Sequence, residues 1–206
     1  IDQDLSLLRA MFCDIVFAPS ANEIYADNIA SQAFNFDGLE HQMEGKFRDG
    51  HFNGVGTIVK RLFEIVKPTK AYFGEKDFQQ LQIIRNMVKN HKVPVKIVGC
   101  DIYREEDGLA MSSRNARLIE SHRDAAPFIY KTLKEAKIKF GTKNALEVID
   151  WVENEFKKQP FLELEYFDIA DEETLQTIKN RNPKQKYRAF IAVFAGEIRL
   201  IDNISL

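Results

Sequence analysis

Sulfur, net charge and long apolar runs are what this 206-residue chain has least of. Cys13 and Cys100 are its only cysteines, and each stands beside an apolar, strand-like run. Such a pair reads as buried free thiols in a reducing compartment, which places the chain in the cytoplasm. The net charge of −2 excludes the basic footprint of an electrostatic nucleic-acid binder. No apolar run approaches the roughly 20 residues needed to span a bilayer, so no membrane partner is expected. The four histidines, His41, His51, His91 and His122, show no close metal-ligand pairing, and no metal site is expected among them. What remains is a globular composition, 45% hydrophobic and 29% charged, long enough for a proper core.

Strand and helix patterns alternate up to Cys100. Asp14–Ala18 reads as a short buried strand closed by Pro19, and Ile29 to Phe36 as an edge strand with Phe34 and Phe36 exposed. Leu39–Glu44 reads as a helical turn. The glycine-rich stretch from Gly45 to Gly56 lacks the spacing of a P-loop and leads into a helix periodic in Ile58, Leu62, Phe63 and Val66. Val95–Gly99 is a further buried strand. This order predicts a Rossmann-like, mainly parallel sheet with helices on its faces, over residues 1–102. Because the chain opens at Ile1 and enters an amphipathic helix (Leu5, Leu8, Phe12) with no strand before it, that sheet is expected to be incomplete at its N-terminus.

Beyond residue 102 the pattern changes. Two long helices near Glu120–Lys139 and Ala145–Lys157 precede strands at Leu162–Ile169, Tyr187–Phe194 and Ile198–Asn203. A short helix is expected from Asp171, a loop over Lys179–Lys186, and a tight hairpin at Gly196-Glu197. Helices followed by antiparallel strands predict a smaller α+β domain over residues 103–206.

Two stretches carry chemistry. In Lys70-Ala-Tyr-Phe-Gly-Glu-Lys-Asp-Phe-Gln-Gln-Leu81, a strand end is broken by Gly74, and Asp77 opens a helix periodic in Phe78, Leu81, Ile84 and Val88. Ligands bind at such carboxyl ends of sheet strands, and the helix start with the Lys76 ammonium favours a phosphate. Asp77 and Gln80 also have the spacing of a capping box, which needs no ligand and is the simpler reading of spacing alone. In Glu105-Glu-Asp-Gly-Leu-Ala-Met-Ser-Ser-Arg-Asn115, Ser112, Ser113 and Arg114 can hydrogen-bond phosphate oxygens. There too a plain cap, on the short helix Asn115–Ile119, is the simpler reading in isolation. The acidic run 105–107 reads as a solvated loop.

These two stretches, with Glu44–Gly54 and Arg199-Leu-Ile-Asp-Asn203, resemble the pantoate–β-alanine ligase family, in order and spacing across the whole chain. The resemblance implies a cytoplasmic ligase forming a carbon–nitrogen bond. It joins pantoate to β-alanine through a pantoyl adenylate, with ATP as substrate and Mg2+ assisting. By similarity Gly74, Glu75, Lys76 and Asp77 bind ATP, with Lys76 on the phosphates as the catalytic cation. Tyr103 lies against the adenine, while Met111, Ser112, Ser113 and Arg114 hold the triphosphate. Gln80 binds pantoate, and Glu44 and Arg48 stand at the cavity mouth. The family is typically a homodimer, and the Ile29 to Phe36 edge is the expected pairing surface. Its histidine pair, in a His-x-Gly-His-like segment, has no counterpart here. The expectation is therefore that this chain alone is inactive. A non-catalytic nucleotide-binding module and a purely structural α/β module are the alternatives.

Overall fold

The computed structural model of the chain describes residues 1–25 and 31–206. It contains two compact units, Ile1–Gln32 and Ala33–Leu206. In the first, α1 (Asp2–Ala10) buries none of its residues, and α2 (Ala21–Tyr25) starts where Ser20 and Glu23 exchange hydrogen bonds as a capping box. The expected strand at Asp14–Ala18 is absent. Those residues are exposed, Ile15 by 84%, and pair with no neighbouring strand. Apolar content alone does not make a strand without a ladder partner. Cys13 is exposed as well, contrary to expectation, as is Cys100.

The second unit begins with irregular chain. Ile29 lies outside the described residues, and residues 31–36 form no strand. The backbone N–H groups of Phe34 and Phe36 donate instead to the side chains of Asn53 and Glu40. Phe36 is fully buried and stacks on half-buried Phe34, so the exposed edge expected there does not exist over these residues. Two 3-10 turns (Leu39–His41 and Met43–Lys46) lead into α3 (His51–Val66). β1 (Lys70–Gly74) and β2 (Lys96–Cys100) pair in parallel, Tyr72 opposite Val98, with α4 (Phe78–Asn90) as the crossover. β2 is half-buried rather than buried, because β1 is its one strand neighbour among the described residues.

α5 (Glu120–Ala125) and α6 (Phe128–Phe140) divide the first long helix where Pro127, lacking an N–H, stands as the cap of α6. α7 (Ala145–Phe156) follows behind a true capping box of Asn144 and Glu147. The antiparallel sheet runs β3 (Glu163–Asp171), β4 (Tyr187–Ala195), β5 (Ile198–Ser205) in that order. The helix expected from Asp171 is replaced by a tight turn. β3 extends to Asp171, whose carboxylate accepts from the N–H groups of Glu173 and Thr174. The β4–β5 hairpin turns at Gly196, where φ of +61° favours glycine.

A parallel pair with helices and an antiparallel three-stranded sheet thus occupy the chain in the expected order. β4 joins two hydrophobic cores. Ala189, Ile191 and Val193 pack with α6 and α7, while Phe190 packs with Phe78, Leu81 and Ile84 of α4. No helix among the described residues is long and apolar enough to cross a membrane.

Candidate active site

A cavity of about 680 Å³ lies in the second unit, between the turn after β1, the 43–52 segment and the β3–β5 sheet. Lys76 enters it from a 3-10 turn, Glu75–Asp77, that follows the strand end at Gly74. Asp77 is the N-cap of α4, yet its side chain makes no capping bond, so the capping-box reading of Asp77 and Gln80 is not what the fold uses. Both residues line the cavity. Lys76 Nζ stands 3.9 Å from the Asp77 carboxylate with a side chain 21% exposed.

The turn is held from below. Asn203 Nδ2 donates to the carbonyls of Glu75 and Lys76, each at 2.9 Å. Arg188, buried in β4 with its guanidinium 3.9 Å from the Phe78 ring, donates to Glu75, Glu172 and Asn203 Oδ1. The Glu75 carboxylate is therefore engaged by Arg188, and Glu75 is absent from the cavity wall.

The second phosphate stretch forms a compact loop. Arg104 and Ala110 bridge across the Asp107-Gly108 turn, and Asn115 Nδ2 donates to the Ala110 carbonyl. Arg123 pairs with both Glu105 and Asp107, so these two acids form an ion-pair clamp rather than the expected solvated loop. Ser112 and Arg114 line the cavity. The Ser112 hydroxyl accepts from the Arg114 N–H, and Arg114 Nη1 donates to the Arg199 carbonyl at 3.0 Å. The N-cap of the 3-10 turn at Asn115–Arg117 is Arg114, which makes no side-chain cap bond, while the Ser112 bond to the Arg114 N–H keeps part of the plain-cap reading alongside the cavity position of Ser112. Arg104 grips Asp202 through two bonds of 2.7 and 3.0 Å. Burial pushes the Asp202 carboxyl up, with Arg104 opposing it.

The opposite wall is an acid–base network. Glu44 accepts two bonds of 2.8 Å from Arg199 and one of 2.8 Å from the Tyr166 hydroxyl. Arg199 also pairs with Glu165 at 2.6 Å. Glu165 and Tyr166 are consecutive yet both reach the cavity, because the β3–β4 register shifts between Leu164 and Tyr166 and such a bulge re-aims a side chain. Burial alone would raise the Glu44 carboxyl. The bonds and charge of Arg199, with Tyr166 and Arg48, outweigh it and hold the group below the usual range. Burial and the Glu44 charge push the Tyr166 phenol up, so it stays a donor. Buried Gln79 fixes this wall to α4, accepting from the Glu44 N–H and donating to the Leu39 and Gln42 carbonyls. His51 lines the cavity with its imidazole held low by burial and by Arg48, hence neutral near pH 7.

Of the expected ATP and pantoate residues, Lys76, Asp77, Gln80, Ser112 and Arg114 converge on this one cavity, with Glu44 and Arg48 beside them. Gly74, Glu75, Tyr103, Met111 and Ser113 lie off its wall, Tyr103 with 74% of its surface exposed. Sequence reasoning missed the residues that brace the site: Gln79, Glu165, Tyr166 and Arg188. A signal existed for Arg188, a charged residue entering the apolar run Ala189-Phe-Ile-Ala-Val-Phe194. Among the described residues no three His, Cys, Asp or Glu side chains gather as a metal-holding group.

The family model for pantoate–β-alanine ligase matches residues 1–205. Among relatives, the pantothenate synthetase of Flavobacterium psychrophilum is 61% identical over 192 residues, covering 93% of this chain and 68% of its own. That of Christiangramia forsetii is 56% identical over 207 residues, covering 100% and 73%. The crystal structure of pantothenate synthetase from Thermus thermophilus matches with a TM-score of 0.89 at 37% identity, over 98% of this chain and 73% of that one. A pantoate–β-alanine ligase from Francisella tularensis, complexed with β,γ-ATP and β-alanine, matches with a TM-score of 0.78 at 31% identity, over 99% and 69%.

Proposed function

The chain belongs to the pantoate–β-alanine ligase family, and from that premise we propose that its 680 Å³ cavity is where ATP drives the condensation of pantoate with β-alanine. The observation that carries the assignment is the meeting of Lys76, Gln80 and Arg114, from two distant stretches, on one cavity wall system. In the first step the pantoate carboxylate attacks the α-phosphorus. A phosphorus–oxygen bond forms, the bond to pyrophosphate breaks, and negative charge grows on the leaving group. Fixed cations matched to that charge stabilise the transition state more than the ground state, and Lys76 and Arg114 supply them. In the second step the β-alanine amine attacks the acyl carbonyl, the carbon–nitrogen bond forms, and AMP leaves with the carbon–oxygen electrons as the amine loses a proton.

Gln80 holds pantoate in this reading. The turn Gly74–Asp77 takes the ribose and phosphates, Tyr103 the adenine, and Met111, Ser112 and Ser113 the triphosphate. In this reading residues 1–102 make the nucleotide-binding domain and 103–206 a smaller α+β domain. Mg2+ would come with the nucleotide phosphates and share their charge with Lys76 and Arg114. A homodimer in the cytoplasm completes the proposal. Two free, exposed thiols suit a reducing compartment, and residues 31–36, which form no strand, do not supply the pairing edge.

Lys76→Ala in the full-length enzyme tests the reading. Loss of one preorganised charge stabiliser should slow pyrophosphate release by about 100- to 1,000-fold with the fold retained. Near-normal turnover of the folded variant would return the site to a non-catalytic nucleotide-binding module.

A further inference from the structure

Lys76 stands on a short 3-10 turn with no side-chain cap at either Gly74 or Asp77. Something else must fix it, because a catalytic cation misplaced by about 1 Å loses much of its effect. The fixing group comes from the other sheet. Asn203 on β5 is only 2% exposed, and every one of its polar side-chain atoms is engaged. Nδ2 sends its two hydrogens to the Glu75 and Lys76 carbonyls, both at 2.9 Å, and Oδ1 accepts from Arg188 Nη1 at 2.6 Å. The amide orientation is unambiguous. Arginine has only donors and the two carbonyls only acceptors, so a flipped amide would oppose like groups at all three contacts. Arg188 is itself immobilised by Glu172, Glu75 and the Phe78 ring. Asn203 borders the cavity, yet its side chain has no donor left for a ligand.

We infer that Asn203 is a positioning residue for adenylation, setting the place of the Lys76 ammonium by holding the two carbonyls of its turn against the β4–β5 sheet. The inference rests on the reading of Lys76 given above and deepens it. A strand of the C-terminal sheet thereby serves as the template for the phosphate turn. The Asp202 neighbour extends the template, since its carboxylate accepts the Asn203 N–H at 2.8 Å while gripping Arg104 at the base of the second phosphate loop.

A double-mutant cycle in the full-length enzyme decides the matter. Asn203→Asp keeps the volume and leaves Arg188 an acceptor, but sets a carboxylate oxygen against two carbonyl oxygens. It should lower kcat for pyrophosphate release by about 10- to 100-fold, with a smaller change in KM for ATP and a cooperative thermal transition retained. On a Lys76→Ala background the same change should cost less than about twofold more, because the group it positions is gone. A full, multiplicative loss on that background, with Lys76→Ala itself slow, would overturn this inference alone and leave a merely structural asparagine. Near-normal turnover of Lys76→Ala would overturn both this inference and the Lys76 reading. Should Asn203→Asp fail to fold, Asn203→Ala, which removes the donors without adding charge, carries the same cycle and is read in the same way.

Discussion

Glu44 receives three hydrogen bonds from two side chains of the antiparallel sheet, and that concentration ties the cavity wall to its charge. Its carboxyl is depressed in the folded state relative to an ordinary glutamate. The stability it contributes is therefore full above the ordinary glutamate pKa of about 4.3 and is lost as pH falls through the lower folded value. Glu44→Gln leaves Arg199 short of a charge partner and should cost about 2 kcal/mol at pH 7. The difference from wild type should shrink as the pH is lowered through that folded value, because the native carboxyl then takes up its proton. Urea unfolding across a descending pH series checks this; an equal deficit at every pH would show that the charge of Glu44 is irrelevant. At this scale the sequence is partly readable. Lys76 and Arg114 announce themselves as cations beside a strand end and a turn. Gln79 does not, because only the folded 39–44 segment reveals that it braces Glu44 while its neighbour Gln80 faces the cavity.

At the scale of elements, the turn Met43–Lys46 carries Glu44 into place, and Gly45 is what lets it close. A Cβ there would stand 1.8 Å from the Glu40 carbonyl oxygen, a backbone atom that cannot swing aside. Gly45→Ala should destabilise the protein by about 2 kcal/mol, the scale of a forced backbone shift. The melting temperature should fall by about 4–8 °C. Differential scanning calorimetry measures it, and an unchanged transition would mean that the turn yields freely. Periodicity makes α3, α4, α7 and the three antiparallel strands legible, since each has an apolar face to bury. It fails at Asp14–Ala18 and at residues 31–36. There apolar residues mimic strands, but the backbone donors of Phe34 and Phe36 are taken by side chains. Pro127 splitting α5 from α6 is legible in principle, as a missing N–H inside a helical pattern, though periodicity alone runs straight through it.

For the molecule as a whole, the organising fact is that β4 belongs to two cores, that β5 carries Arg199 and Asn203 to the cavity, and that Arg188 of β4 braces the Lys76 turn from behind. The antiparallel sheet is thus part of the frame of the proposed site, with Arg114 held on the Arg199 carbonyl and the Lys76 carbonyl on Asn203. The order of strands and helices predicts the two sheets; nothing in it predicts that β5 reaches both phosphate loops, because that depends on how distant segments pack. The central claim, that this frame makes an acyl adenylate, is tested most directly by pantoate-dependent exchange of labelled pyrophosphate into ATP without β-alanine. The full-length enzyme should exchange, and Arg114→Ala should exchange at least about 100-fold more slowly, as expected for one lost charge stabiliser. Pantothenate formed with β-alanine present, but no exchange in its absence, would contradict the account.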